Sequence, residues 1–171
     1  FLQNITIDAL ISKLLNQLPD QIEPFPTNIP NFVIPDTEYR LSPNQKAQWF
    51  LNQLDPHSPD GNVSVVLLIR QPLNLSAMQR SLGVLVTRHP ILRTIYEVQS
   101  GIPFQRILPN LAPFFEYKEV DDLDWEDVKS KLISYSQQPF DLSQGPLLRA
   151  HLFERTSTSY LMLLSTHHIA A

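Results

Sequence analysis

The sequence predicts a mixed α/β sandwich with at least one antiparallel edge. Three observations carry this prediction. Strand-like and helix-like patterns follow one another in the order β-α-β-α-β-β-β-α-β-β. Two pairs of strand patterns are separated only by short turns, Gln99-Ser100-Gly101 and Thr156-Ser157-Thr158, which is the spacing of hairpins. The run Tyr160–Thr166 is largely apolar on both of its alternating faces, as in a strand covered from both sides.

The bulk properties agree with a globular protein. A length of 171 residues leaves room for one domain with a real core, and 43% hydrophobic with 18% charged residues is an ordinary balance. A net charge of −4 gives no electrostatic reason to expect nucleic acid or an anionic membrane as a partner. The chain has no cysteine, which excludes disulfides and thiolate metal sites. No apolar run reaches the roughly 18 residues a membrane span needs, and the first 18 residues do not have the form of a signal peptide. The chain begins with Phe1 and stops at a strand end, so it reads as a piece of a longer polypeptide.

In order along the chain, residues 1–18 place Ile7, Leu10, Ile11, Leu14, Leu15 and Leu18 on a helical stripe, with Thr6 as N-cap. Residues 19–35 hold five of the 15 prolines and no glycine, which reads as an extended, semi-rigid linker. Residues 36–171 form the globular part. Tyr39–Leu41 is a short strand. Ser42-Pro43 starts a helix with Ser at N-cap and Pro at the first position, and Ala47, Phe50, Leu51 and Leu54 form its apolar side. Val63–Ile69 is β-branched and reads as a central strand. Asn74 opens a helix with Leu75, Met78, Leu82, Leu85 and Val86 on one side, ending at Arg88-His89. Leu92–Val98 and Ile102–Ile107 are the strands of the first hairpin, and Phe114–Val120 is another strand. Asp124 caps a helix whose stripe is Trp125, Val128, Leu132 and Tyr135. A loop at Pro139–Pro146 leads to the final hairpin, Leu147–Arg155 and Ser159–Thr166.

That hairpin ends in two adjacent histidines. On a strand, His168 shares a face with Tyr160, Met162, Leu164 and Thr166, and His167 shares the other with Leu161, Leu163 and Ser165. The two therefore do not act as a pair: one faces a reaction channel and the other is packed and hydrogen-bonded. The other histidines are less telling. His89 ends a helix, where a cation suits the dipole and the role is structural, and His57 and His151 have no constellation around them. Gln45 and Trp49 lie four apart on one helical face and pack together, with Trp49 a core residue. Arg88 is a solvated helix end, whereas Arg93, inside Leu92-Arg93-Thr94, calls for a buried partner. Phe140, Asp141 and Gly145 read as turn chemistry. No metal-ligand spacing and no glycine-rich phosphate loop is present.

Four stretches in order resemble the condensation domains of nonribosomal peptide synthetases. Ser42-Pro43-Asn44-Gln45-Lys46-Ala47-Gln48-Trp49 is similar to their Ser-x-x-Gln-x-x-x-Trp motif. Arg88-His89-Pro90-Ile91-Leu92-Arg93-Thr94-Ile95-Tyr96 is similar to Arg-His-x-x-Leu-Arg-Thr-x-Phe. Pro139–Arg149 is similar to Pro-Phe-Asp-Leu-x-x-Gly-Pro-Leu-Leu-Arg, and His167-His168-Ile169-Ala170-Ala171 to the first five positions of His-His-x-x-x-Asp-Gly. Pro90 stands where the family often has Glu. The run Phe1–Ile7 loosely resembles the approach to the last helix of a carrier domain.

The resemblance implies the N-terminal lobe of a two-lobed fold, each lobe like chloramphenicol acetyltransferase, with a channel between them. It implies a cytoplasmic amide-forming acyltransferase. It further implies that no cofactor is held by the domain itself and that the substrates are presented on the phosphopantetheine arms of an upstream and a downstream carrier. His168 would be the catalytic residue, as base or as a group that orients the amine. His167 and Arg93 would support it, Arg93 through an ion pair with an Asp following Ala171. Roles for Ser42, Gln45, Trp49, Arg88 and His89 stay open. An epimerisation domain of the same fold and a non-catalytic partner-recruiting domain are the alternatives, with an acyltransferase using free coenzyme A behind them.

Overall fold

The computed structural model of the chain describes residues 38–171. The carrier-like tail at 1–18 and the proline-rich linker at 19–35 lie outside the described residues.

Two sheets organise the described part. The smaller joins strands β1 (Glu38–Arg40), β4 (Ile102–Ile107) and β3 (Thr94–Gln99), all antiparallel, in the order β1-β4-β3. Ser100 and Gly101 both take positive φ, 51° and 79°, so the β3–β4 hairpin closes in a two-residue turn of the kind that matches strand twist. The larger sheet joins β2 (Asn62–Ile69), β7 (Ser159–His167), β6 (Leu148–Thr156) and β5 (Phe114–Glu119) in the order β2-β7-β6-β5. β5 runs parallel to β6, and the crossover between them carries helix α3 (Trp125–Ser136). Helices α1 (Pro43–Leu54) and α2 (Leu75–Arg88) precede it.

Strand alternation splits the core. Ala150 and Leu152 of β6, with Tyr160 and Met162 of β7, cluster with Leu82 and Val86 of α2. Phe153, Leu161 and Leu163 cluster instead with Val128 and Leu132 of α3. A third cluster, Leu41, Tyr96, Phe140, Leu142, Leu147 and Ile169, receives the half-buried Trp49 of α1. Both faces of β7 are thus packed, as its sequence predicts. Each fully buried aliphatic side chain contributes about 1.5–3 kcal/mol.

The helix starts follow from their caps. Ser42 Oγ accepts the Gln45 N–H, and the Gln45 side chain returns a bond to the Ser42 N–H, a complete capping box. Asn74 and Asp124 accept the N–H groups of Ala77 and Asp127.

Several expectations are corrected. β2 is an edge strand of its sheet rather than a central one, and Val63, Val65, Val66, Leu67 and Leu68 are exposed. Its β-branched composition reports fitness for a pleated surface, not rank within the sheet. The predicted apolar side of α1 also faces outward among the described residues: Ala47, Phe50 and Leu51 are exposed, and Leu54 is 68% exposed. β3 starts at Thr94 because Pro90 opens a 3-10 turn over Pro90–Arg93. Trp125 leaves the α3 stripe and lies half exposed under Arg155.

His151 does have a constellation. It is buried on β6 opposite Glu116 of β5, with ring centroids of Tyr135 and Phe114 at 4.3 and 5.2 Å. Neither ring nitrogen has a hydrogen-bond partner, and Glu116 Oε2 stands 3.7 Å from Nε2. Burial lowers its pKa and outweighs the opposing pull of Glu116; Arg149 and Lys118 push the same way as burial.

Two outcomes are expected. Leu152→Ala on the fully buried face of β6 costs about 2–5 kcal/mol in urea unfolding, whereas Leu54→Ala on α1 stays within about 0.5 kcal/mol. Equal costs would contradict the burial described. The folded chain holds His151 neutral where the unfolded chain protonates it, so the unfolded state binds more protons below the ordinary histidine pKa of 6.5. Stability contributed above that pH is lost as the solution is acidified. His151→Phe should therefore show a shallower fall of the urea midpoint between neutral pH and pH 5; an unchanged slope would count against it.

Candidate functional site

The site is built where β7 ends. The strand stops at His167, and the chain enters a 3-10 turn, His168–Ala170. The strict alternation therefore ends one residue early: the turn, not the strand, directs His168, so it is not grouped with Tyr160, Met162, Leu164 and Thr166. The two rings are nonetheless placed differently. His167 is 3% exposed and His168 is exposed.

His167 is held from three sides. Its Nδ1 accepts the backbone N–H of Ile169 at 3.1 Å, which makes the side chain the cap of the turn that carries His168. Phe140 meets its ring edge-on, 6.2 Å between centroids. Its Nε2 edge stands against the backbone of Gly61. Burial, reinforced by the adjacent His168, lowers its pKa to about 4. The ring is thus neutral near pH 7, with its proton on Nε2. The His168 N–H is fixed in turn by the Gly61 carbonyl at 2.7 Å.

A second set of bonds joins the turn to α1. Tyr96 Oη donates to the Ile169 carbonyl at 3.4 Å and accepts from Gln45 Nε2 at 3.3 Å. Gln45 Nε2 also reaches Gln105 Oε1 at 3.1 Å, and Gln105 Nε2 donates to the Arg40 carbonyl at 3.2 Å. Burial raises the Tyr96 pKa to about 12, so the hydroxyl keeps its proton. Ser42 and Gln45 are therefore both cap residues and the outer end of a chain that reaches the histidine turn. Trp49 packs against the Tyr96–Phe140–Ile169 cluster.

Arg93 is 9% exposed, and its Nη1 donates to the Leu108 carbonyl at 2.5 Å, while Nε has no partner. No carboxylate pairs with it among the described residues. Arg88 and His89 are exposed at the end of α2 and take no part in the hydrogen-bond chain. The Pro139–Arg149 segment does more than turn. Phe140 is core, Arg149 lies over its ring at 3.9 Å, and the guanidinium donates to the Gln138 and Pro139 carbonyls at 2.9 and 2.6 Å. Asp141 Oδ1 accepts from Ser143 N and Oγ at 2.8 and 2.6 Å, and Gly145 takes φ +68°. Asn62, the residue paired with His167 across the sheet, donates from Nδ2 to the Ser136 and Gln138 carbonyls at 2.8 and 2.9 Å.

Sequence reasoning missed Tyr96, Asn62 and Gly61. Tyr96 had a visible signal, since it stands where the motif has Phe and so adds a hydroxyl. Asn62 and Gly61 had none, because their partners are distant in sequence. Two open pockets flank the end of α1. One, of about 410 Å³, is bordered by Asn52, His57, Tyr96, Phe140 and Asp141; the other, of about 200 Å³, by Gln48, Asn52, Asp55, Gly61 and His167. Among the described residues, no group of three His, Cys, Asp or Glu side chains could hold a metal ion, and no helix is long and apolar enough to cross a membrane.

Residues 36–171 match the family model described as "Condensation domain". Phosphinothricin tripeptide synthetase PhsC of Streptomyces viridochromogenes is 37% identical over 132 residues, covering 75% of this chain and 12% of that protein. Surfactin synthase subunit 2 of Bacillus subtilis is 38% identical over 133 residues, covering 78% of this chain and 4% of that protein. The crystal structure of the starter condensation domain of rhizomide synthetase RzmA superposes with a TM-score of 0.71 at 24% identity, covering 78% of this chain and 33% of that one. The chain thus spans a small part of the relatives it matches and a third of a solved condensation domain. Its fold is that of the N-terminal, chloramphenicol-acetyltransferase-like lobe, and the chain belongs to the condensation-domain family of nonribosomal peptide synthetases.

Proposed function

We propose that this chain is the N-terminal lobe of a condensation domain that transfers a carrier-bound acyl or peptidyl thioester to the amine of a downstream carrier-bound amino acid. The observation that carries the reading is the end of β7: a buried, neutral His167 caps the turn that presents an exposed His168.

The chemistry needs a group of this kind. An α-amine has a pKa of about 7.7–8.0, so on the order of 10–20% is free to attack at pH 7. Its nitrogen bonds to the thioester carbonyl carbon, the carbon–sulfur bond breaks, and the amine proton must leave while the departing thiolate gains one. An imidazole can take that proton or hold the amine in line for attack. Carrying both reactants into one channel on phosphopantetheine arms supplies the positional part of the rate. In this reading the chain holds no cofactor itself. Its partners are an upstream carrier, a downstream carrier and the second lobe, which forms the other wall of the channel. The apolar side chains left exposed on α1 and β2 support a missing wall. Arg93, buried with an unpartnered Nε, takes an acidic side chain from the rest of the domain.

The test uses the complete domain with an acyl-loaded and an aminoacyl-loaded carrier, following amide formation by intact mass. His168→Ala is expected to lower the rate by roughly 10²–10⁴-fold with an unchanged melting temperature. Native activity in the variant removes His168 from the chemistry. A wild-type protein that inverts the aminoacyl α-carbon without joining the two substrates would be an epimerisation domain. A folded protein that does neither would be a partner-recruiting one.

A further inference from the structure

We propose that Gly61 is a positioning residue for the double histidine: its missing side chain makes the space in which the His167 ring is seated, and through that ring it sets the turn carrying His168. The role of the turn in amide formation rests on the function proposed above.

The geometry is specific. A Cβ placed on Gly61 would lie 2.1 Å from His167 Nε2 and 2.8 Å from both Cδ2 and Cε1. That is well inside van der Waals contact, so ring and methyl group cannot both occupy the site. The backbone at Gly61 is not the constraint, because its φ lies outside the left-handed region and an L-residue could adopt it. Space alone demands glycine here.

Nor can the ring step aside at little cost. His167 is buried, Phe140 closes one side, and Nδ1 is committed to the Ile169 N–H. Moving the ring breaks that bond and leaves the Ile169 N–H, itself buried, without its acceptor. Ile169 is the middle residue of the His168–Ala170 turn. The second contact runs through the same residue, since the Gly61 carbonyl accepts the His168 N–H at 2.7 Å. Gly61 therefore touches both histidines, one through absent atoms and one through its backbone. Asn62, by its bonds to the last residue of α3 and to the connection after it, keeps Gly61 from retreating.

The experiment compares Gly61→Ala, His167→Ala and the double variant in the complete domain. The reactants are the same acyl-loaded and aminoacyl-loaded carriers. Gly61→Ala is expected to lower kcat roughly 10- to 100-fold while KM for either carrier changes little, because misplacing a reacting group falls on the chemical step. Hydrogen exchange at Ile169 should quicken, and the imidazole nitrogen resonances of His167 should lose the signature of an Nδ1 acceptor. In the His167→Ala background, which removes the ring, adding Gly61→Ala should change neither kcat nor Ile169 exchange further. A Gly61→Ala protein that fails to fold while the double variant folds supports the same seating. Native Ile169 exchange in Gly61→Ala, or equal losses with and without the His167 ring, overturns the proposal. If the wild-type domain forms no amide, the functional reading fails. Ile169 exchange in the two backgrounds then still decides the role of Gly61.

Discussion

The structure turns on a single short-range bond, from the Ile169 N–H to Nδ1 of His167. Without it the end of β7 is merely a strand running out of partners. With it, the side chain of one histidine closes a 3-10 turn whose first residue is the other. Side-chain caps of this kind replace a backbone acceptor that the strand can no longer offer. The energetic asymmetry matters more than the bond itself. Making it stabilises by about 1 kcal/mol, while losing the acceptor strands a buried N–H at a cost of about 1–3 kcal/mol. The bond needs an unprotonated Nδ1, which burial of the ring provides.

Other elements converge on this turn from distant parts of the sequence. The opening motif contributes through Gln45 and the middle motif through Tyr96, whose hydroxyl joins Gln45 Nε2 to the Ile169 carbonyl. The third motif contributes Phe140, against the His167 ring, and Arg149, which lies over Phe140 and holds the preceding carbonyls. Four motifs spaced along the chain thus act as one local structure. Ile169 is the shared member: its N–H goes to His167, its carbonyl to Tyr96, and its side chain into the cluster with Leu41, Tyr96 and Phe140. Networks of this kind hold geometry well because no member can move without unsatisfying another.

Much of this was legible in the sequence, and the failures have a common cause. Caps and turns are local, so Ser42, Asn74, Asp124 and the Ser100-Gly101 hairpin read correctly from residue type alone. β7 read correctly because apolar residues on both faces demand cover on both faces, and this chain supplies it through α2 and α3. The α1 stripe and β2 carry the same kind of signal, yet here they are exposed. Burial depends on what each element packs against, and an apolar pattern does not name that partner. The rank of a strand within its sheet is a long-range property that composition does not encode. His151 was misjudged for the same reason: its neighbours Glu116, Phe114 and Tyr135 reach it across a parallel strand pair and a crossover helix.

The two histidines, though adjacent, have opposite surroundings, because the strand end falls between them. His168 stands exposed at the start of the turn, whereas His167 is buried. A group that caps a turn must not exchange its proton at all. A pKa of about 4 leaves His167 protonated in roughly one molecule in a thousand at pH 7, so the cap is present throughout the range in which an imidazole can serve as a base. Burying His167 under Phe140 and against a residue without a side chain keeps its Nδ1 unprotonated and available to the Ile169 N–H.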